Sequence, residues 1–210
     1  MATTRAERPL RFLALGDSYT IGEGVDRDKT WPTQLRARLH EQAVDVGDID
    51  MVATTGWTTD ELQQAISARK FTPPYSLVSL LIGVNNQYRG RDLGNYAGEL
   101  GSLIDFAVDM AAGDAGKLIL VSIPDWGTTR YAAERQVDAA RVAEEIDSFN
   151  AIARAACLAR GAHWVDVTKL SREEARDMLA EDGLHPSADQ YARWVTAILP
   201  VARSILDTAN

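Results

Sequence analysis

The chain has 210 residues, of which 46% are hydrophobic and 25% are charged, and its formal net charge is −8 at pH 7. This length and composition are ordinary for a globular protein with a sizeable core, and we expect a single domain over residues 1–210. The excess of acidic residues argues against nucleic acid and against an anionic membrane surface as partners, because both are themselves negatively charged.

Residues 1–9 are polar, and a largely apolar stretch over residues 10–15 follows them. That stretch is too short for the apolar part of a signal peptide or for a membrane span, so we expect a cytoplasmic protein. It predicts a buried strand that stops at a Gly-Asp-Ser turn, which places Ser18 at the edge where open α/β sheets bind ligands. On these residues alone, a turn in which Asp17 and Ser18 only satisfy backbone groups is an equal alternative.

Four further strands are predicted, at residues 49–53, 77–82, 117–123 and 163–167. One helix is predicted to begin near Trp31 and another to be capped by Thr58 or Thr59. A helix over 96–110 follows a polar stretch at 87–95, and a long alanine-rich helix is predicted over 132–159. A short helix near 173–179, a loop at 182–186 and a last helix from residue 188 close the chain.

Strands and helices thus alternate five times, with no linker, repeat or low-complexity segment between them. This alternation predicts right-handed βαβ crossovers and a doubly wound parallel sheet. We therefore predict an α/β fold of the flavodoxin-like type, a three-layer sandwich whose five strands have the order 2-1-3-4-5 and whose helices cover both faces.

Three residues follow the first three predicted strands: Ser18, Gly56 and Asn85. In the predicted sheet these strand ends lie side by side at one edge. A hydroxyl, a glycine whose N–H a substrate can approach closely and a carboxamide donor provide a nucleophile with oxyanion donors beside it. That combination is what acyl transfer requires, apart from a base.

The base has to be one of three histidines. His40 is predicted near the end of a helix and His163 at the start of a strand, and both positions favour a structural role. His185 lies in a loop three residues after Asp182, where one turn can bring the carboxylate to Nδ1 and leave Nε2 facing a serine. An Asp-x-x-His-Pro turn is also compatible with a helix N-cap, so the Asp182–His185 pair alone does not distinguish a catalytic from a structural role.

Taken together, these segments resemble the four blocks of the SGNH hydrolases, also called the GDSL esterase/lipase family: Gly-Asp-Ser-Tyr at 16–19, Gly56, Gly-Val-Asn-Asn at 83–86 and Asp-Gly-Leu-His-Pro at 182–186. The resemblance implies that Ser18 is the nucleophile, His185 the base and Asp182 its orienting carboxylate. It also implies an oxyanion hole formed by the backbone N–H groups of Ser18 and Gly56 and by the Asn85 side chain.

Two positions depart from the family pattern. Tyr19 stands in place of the leucine in the family's name, at a position without a chemical role. Asn86 stands in place of the aspartate that usually follows the asparagine of the third block. An amide therefore replaces a carboxylate as the anchor of the donor loop, which puts in question how Asn85 is held.

The sequence indicates no cofactor or metal site. It has no Gly-x-Ser-x-Gly elbow, no P-loop, no dinucleotide-binding glycine pattern and no His or Cys cluster with metal-ligand spacing. The single Cys157 lies among alanine and leucine residues, where we expect a buried structural role.

Loop residues after the second, third and fourth strands are candidates for lining a substrate cleft. The aromatic candidates are Trp57, Tyr88, Trp126 and Tyr131, for which ordinary loop packing is the alternative. The basic candidates are Arg89, Arg91 and Arg130, which would hold an anionic head group or simply lie on a solvated surface.

The sequence therefore predicts a serine hydrolase that cleaves ester or thioester bonds of small soluble or lysophospholipid-like substrates through an acyl-enzyme. A carbohydrate O-acetyl esterase on the same scaffold is the alternative among enzymes. A flavodoxin-like binding module without turnover is the alternative in another class, and the pairing of Ser18 with Asp182 and His185 speaks against it.

We expect short acyl chains, because no extended apolar lid or amphipathic surface helix is evident. The oligomeric state stays open.

Overall fold

The fold is built on a parallel sheet of five strands in the order β2-β1-β3-β4-β5. The computed structural model describes residues 10–173 and 177–207, so the N-terminal residues 1–9 considered above lie outside the described ranges. The strands are β1 (Leu10–Gly16), β2 (Val46–Ala53), β3 (Leu77–Leu81), β4 (Leu118–Val121) and β5 (His163–Val165). The predicted α/β class and strand order are confirmed.

Helices cover both faces of this sheet. They are α1 (Ser18–Ile21), α2 (Trp31–Glu41), α3 (Thr59–Ser67), α4 (Val84–Tyr88), α5 (Leu93–Met110), α6 (Arg130–Glu134), α7 (Ala139–Ala159), α8 (Thr168–Arg172) and α9 (Ala188–Asp207). Helix α2 packs against α9 on one face, whereas α5 packs against α3 and α7 on the other. Within the described ranges, no helix has both the length and the apolar character that crossing a bilayer requires.

The central strands form the core. All five residues of β3 are buried, and Phe12, Leu13 and Leu15 of β1 have no exposed surface. Such continuous apolar runs are expected for parallel strands that helices cover on both faces. The edge strand β5 is shorter than predicted, and its first residue, His163, is exposed.

The structure corrects three predicted helix boundaries. The helix predicted over 132–159 is interrupted between α6 and α7, because Gln136 has a φ of 53° and Asp138 starts a new helix by accepting the Arg141 N–H. The polar stretch over 87–95 already contains the end of α4 and the start of α5. The short helix predicted near 173–179 lies earlier, as α8, while Leu179 bridges Pro186 and residues 174–176 lie outside the described ranges.

The strand register brings the predicted functional segments to one edge. Gly16 at the end of β1 pairs with Ala53 at the end of β2 and with Leu81 at the end of β3. The chain therefore leaves all three strands at the same level of the sheet. The segments that contain Ser18, Gly56 and Asn85 start from neighbouring points.

Candidate active site

Ser18 is placed by a tight turn from strand to helix. A Cβ at Gly16 would lie only 2.5 Å from the Leu81 carbonyl oxygen and would collide with the Thr20 side chain, so glycine is required there. Asp17 then caps α1 by accepting the Tyr19 N–H at 3.0 Å, and Ser18 is the first residue of that helix. Its side chain is nearly buried at the carboxyl end of β1.

Asp17 is the most unusual carboxyl group of the site. It has no exposed surface, and the described part of the chain offers no partner to its Oδ2. Burial raises the pKa of Asp17 to about 7, although the hydrogen bond from the Tyr19 N–H acts in the opposite direction. From the sequence, Asp17 is expected only as a turn residue, because the sequence contains no signal for this environment.

Asp182 and His185 form a close pair in the loop at residues 180–187, directly before α9, which we call the late loop. Asp182 Oδ2 lies 2.6 Å from His185 Nδ1, while Oδ1 accepts the Leu184 and His185 N–H groups at 2.9 and 3.0 Å. A carboxylate only accepts, so Nδ1 donates in this pair and Nε2 is left as the acceptor. Burial by itself raises the pKa of Asp182, but these hydrogen bonds outweigh it and hold the pKa below its usual value.

The late loop packs against the segment that contains Ser18. The His185 ring lies 5.2 Å from the Tyr19 ring, centroid to centroid, and Tyr19 in turn stacks on Trp194 of α9. A Cβ at Gly24 would lie 3.6 Å from Asp182 Oδ2. In the described part of the chain the Ser18 hydroxyl makes no hydrogen bond, neither with His185 nor with any other residue. Such bonds are often long in a free enzyme and shorten with substrate.

Two residues after β4 support the late loop. Arg130 donates from Nη2 to the Ala180 carbonyl at 3.1 Å, and the Tyr131 N–H donates to the Gly183 carbonyl at 2.9 Å. From the sequence, both residues are candidates for the cleft, with loop packing as the alternative for Tyr131 and a solvated surface as the alternative to anion binding for Arg130. The structure places the Arg130 guanidinium on a backbone carbonyl of the loop that contains Asp182 and His185.

The two remaining oxyanion candidates lie close together. The Asn85 Nδ2 group donates to the Trp57 carbonyl at 3.0 Å, one residue beyond Gly56. Gly56 has a φ of 85°, and its own carbonyl accepts from Arg89 Nη2 at 2.6 Å. Arg89 therefore bridges the segments after β2 and β3. Arg91 pairs with Asp60 instead, at 3.4 Å.

Three of the four aromatic candidates form one cluster beside this edge, whereas Trp57 is partly buried and packs against the core. Tyr88 and Trp126 pack edge to face with ring centroids 5.2 Å apart, Trp126 and Tyr131 likewise at 6.4 Å, and the two tyrosine hydroxyls lie 3.2 Å apart. Tyr88 is 55% exposed. Tyr88, Arg91 and Trp126 line a cavity of about 500 Å³ between α4 and α7, whereas Ser18, Asp182 and His185 do not.

The other candidate groups have structural partners. His40 Nε2 lies 2.7 Å from the Val46 carbonyl, and His163 Nε2 lies 3.1 Å from the Gly116 carbonyl. Cys157 is buried, and burial raises the pKa of its thiol to about 11, which leaves it unreactive. Among the described residues there is no group of three His, Cys, Asp or Glu side chains that could hold a metal ion.

This fold and the order of the segments at its edge define the class of SGNH hydrolases. The chain belongs to the GDSL-like lipase/acylhydrolase family, whose model matches residues 14–193. No significant match was found among curated protein sequences.

Solved structures share the fold at low sequence identity. The crystal structure of TesA is similar with a TM-score of 0.73 and 19% identity, covering 93% of this chain and 99% of that one. A psychrotrophic esterase from Pseudoalteromonas sp., inhibited by monoethylphosphonate, gives a TM-score of 0.69 at 16% identity, covering 94% and 98%. An acetylxylan esterase from Geobacillus stearothermophilus gives 0.68 at 18% identity, covering 92% and 94%.

Proposed function

We propose that this protein is a serine hydrolase that cleaves carboxylic ester bonds of small soluble or lysophospholipid-like substrates. Ser18 Oγ attacks the ester carbonyl while His185 Nε2 takes the hydroxyl proton. The alcohol leaves with that proton, and water then cleaves the acyl-enzyme by the same route. Thioesters, with a thiol as leaving group, fit the same scheme.

The observation that supports this proposal best is the Asp182–His185 pair packed over the first turn of α1. The carboxylate fixes the tautomer in which Nε2 accepts, and the ring lies against the residue next to Ser18. Charge that develops on the carbonyl oxygen would be met by the Ser18 and Gly56 N–H groups and by Asn85 Nδ2. Asn85 exchanges its bond to the Trp57 carbonyl for one to the oxyanion.

A fluorophosphonate probe tests the proposal, because it reacts preferentially with an activated serine. Mass spectrometry should find the adduct on the peptide that contains Ser18, and Ser18→Ala should abolish both labelling and ester hydrolysis. Ser187→Ala, a change in the loop before α9, serves as the control and should keep both. Labelling that survives Ser18→Ala would contradict the assignment, and a wild-type chain that is neither labelled nor active would favour a binding module.

A carbohydrate O-acetyl esterase is the second candidate. The exposed ring of Tyr88, beside Trp126 and Tyr131, supports it, because sugar rings bind against aromatic faces. One structural neighbour is named an acetylxylan esterase. Hydrolysis rates for p-nitrophenyl acetate, butyrate and octanoate, an acetylated xylan, a lysophospholipid and an acyl-CoA distinguish the two. A preference for the acetylated sugar that Tyr88→Ala removes would establish the second candidate.

A further inference from the structure

Asn86 is completely buried, and its side-chain amide has one defined orientation. The Thr59 backbone N–H lies 3.1 Å from Oδ1, and an N–H group requires an acceptor at that position. The amide nitrogen, Nδ2, must therefore be the atom that lies 2.6 Å from the Thr59 hydroxyl oxygen. Asn86 donates to that hydroxyl.

The Thr59 hydroxyl then needs an acceptor for its own proton. Its partner is Oε2 of Glu99, on α5, and the other carboxylate oxygen of Glu99 accepts from Asn95 Nδ2 at 2.9 Å. The hydrogen bonds run in one direction, from the Asn86 amide through the Thr59 hydroxyl to the Glu99 carboxylate. We call this chain of three residues the Asn86 relay.

The Asn86 relay joins the two segments from which oxyanion donors are proposed. Thr59 is the first residue of α3, directly after the loop that contains Gly56. Asn86 lies in the first turn of α4, next to Asn85. The Thr59 hydroxyl and the Asn86 amide therefore help to hold these two segments in their relative position.

We infer that Glu99 is a positioning residue for the oxyanion hole, which it fixes through the Thr59 hydroxyl and the Asn86 amide. This inference rests on the proposed function. It also accounts for the amide at position 86. The negative charge that anchors the loop of Asn85 is on Glu99, which Asn86 reaches through the Thr59 hydroxyl. Glu99 acts only through other residues and does not touch substrate.

The direction of the relay makes a specific prediction. Asn86→Asp places a second carboxylate beside the Thr59 hydroxyl, which has only one proton to donate. Either Asp at position 86 or Glu99 then lacks a donor, and the two negative charges face each other. Glu99→Gln added to Asn86→Asp reverses the relay. The new amide then donates to the Thr59 oxygen, and the hydroxyl donates to the new carboxylate.

The test measures kcat and KM for p-nitrophenyl acetate in the two single variants and the double variant. Asn86→Asp should lower kcat about tenfold with KM little changed. Glu99→Gln alone should stay within about threefold of wild type, because its amide oxygen still accepts from Thr59 and the exposed Asn95 amide can turn so that its oxygen accepts from the new Nε2 group. The double variant should recover to a similar level. A double variant as slow as Asn86→Asp alone would overturn the inference, because a merely structural contact gives no such rescue.

A second comparison remains informative if Asn86→Asp does not fold. Glu99→Ala removes the acceptor and should lower kcat about tenfold, whereas Glu99→Gln should not. Glu144→Ala, an exposed glutamate on α7, removes the same charge and should leave kcat unchanged. Equal activity of Glu99→Ala and wild type would also overturn the inference. A wild-type chain that is neither labelled by fluorophosphonate nor active refutes the proposed function, which is a distinct result.

Discussion

Two groups of buried polar residues lie at the carboxyl ends of the strands, and they differ in how far their hydrogen bonds are satisfied. After β4 and β5, Ser122 Oγ accepts the Thr168 N–H at 3.0 Å, and the Thr168 hydroxyl donates to the Ile123 carbonyl at 2.8 Å. Asn150 closes this network by bonding to the Ile123 N–H and carbonyl and to Thr168. Each of these groups has a partner within the protein.

The residues after β1 are equally buried but incompletely bonded. In the described part of the chain, neither Asp17 Oδ2 nor the Thr20 hydroxyl has a partner, and the Ser18 hydroxyl makes no hydrogen bond. Unsatisfied buried groups cost stability and are few in native proteins. We therefore expect the first network to hold the sheet edge together and the second to leave polar groups free for chemistry. Changes in the first should affect stability, and changes near the second should affect turnover.

The largest expected effect is that of Asp182→Asn on turnover. An amide at this position no longer enforces the tautomer in which His185 Nε2 accepts, so kcat should fall about 10⁴-fold, while its oxygen still accepts the Leu184 and His185 N–H groups. Steady-state hydrolysis of p-nitrophenyl acetate measures this. The control is Asp114→Asn, the same change at a cap before β4, which should leave kcat unaltered. A kcat within tenfold of wild type for Asp182→Asn would refute the proposed role.

The variants Asn85→Ala and Asn150→Ala compare two asparagines at the same sheet edge. Loss of one oxyanion donor costs about 10²–10³ in kcat, roughly 2.7–4 kcal/mol, with KM little changed. Asn150→Ala should instead lower the free energy of unfolding and leave kcat unchanged, because Asn150 belongs to the satisfied network. Kinetics and urea unfolding of both variants test this. A larger loss of kcat in Asn86→Ala than in Asn85→Ala would mean that the donor is the neighbouring residue.

The sequence predicts much of this edge because its main signals are local. The alternation of strands and helices predicts a doubly wound parallel sheet, and the number of strands favours the order 2-1-3-4-5. Ser18 and Asn85 follow strands closely, and Asp182 and His185 lie within one turn of each other. Such positions depend on the topology and require no knowledge of packing.

Other features depend on contacts between distant segments. Glu99 meets Thr59 across 40 positions of the chain, and nothing in the sequence around Glu99 distinguishes it from other surface glutamates of a helix. Gln136 adopts a left-handed φ without the glycine that usually signals one, so the break between α6 and α7 was not predicted. The complete burial of Asp17 results from the packing of the whole edge.

Asp17→Asn should change how stability depends on pH. The pKa of Asp17 in the fold, about 7, is higher than its ordinary value of 3.8, so the folded state favours the neutral carboxyl. The wild-type protein should therefore lose stability as pH rises from about 4 to 7, by up to a few kcal/mol, whereas the variant lacks this loss. Urea unfolding of both proteins at pH 4.5, 6 and 8 measures the difference. Parallel pH profiles would show that Asp17 does not titrate in this range.

The smallest expected effect comes from replacing a threonine by valine in each of the two regions, the satisfied network after β4 and β5 and the group after β1. Thr168→Val removes a hydroxyl with protein partners: the Ile123 carbonyl loses one of its two donors, and Asn150 Nδ2 loses an acceptor. The variant should therefore lower the free energy of unfolding by about 1–3 kcal/mol. Thr20→Val removes a buried hydroxyl that has no partner in the described chain, so stability should stay the same or rise. Thr196→Val, at an exposed position of α9, should change it by less than about 0.5 kcal/mol. Equal destabilisation by Thr20→Val and Thr168→Val would mean that the Thr20 hydroxyl is satisfied in solution and that the two regions do not differ.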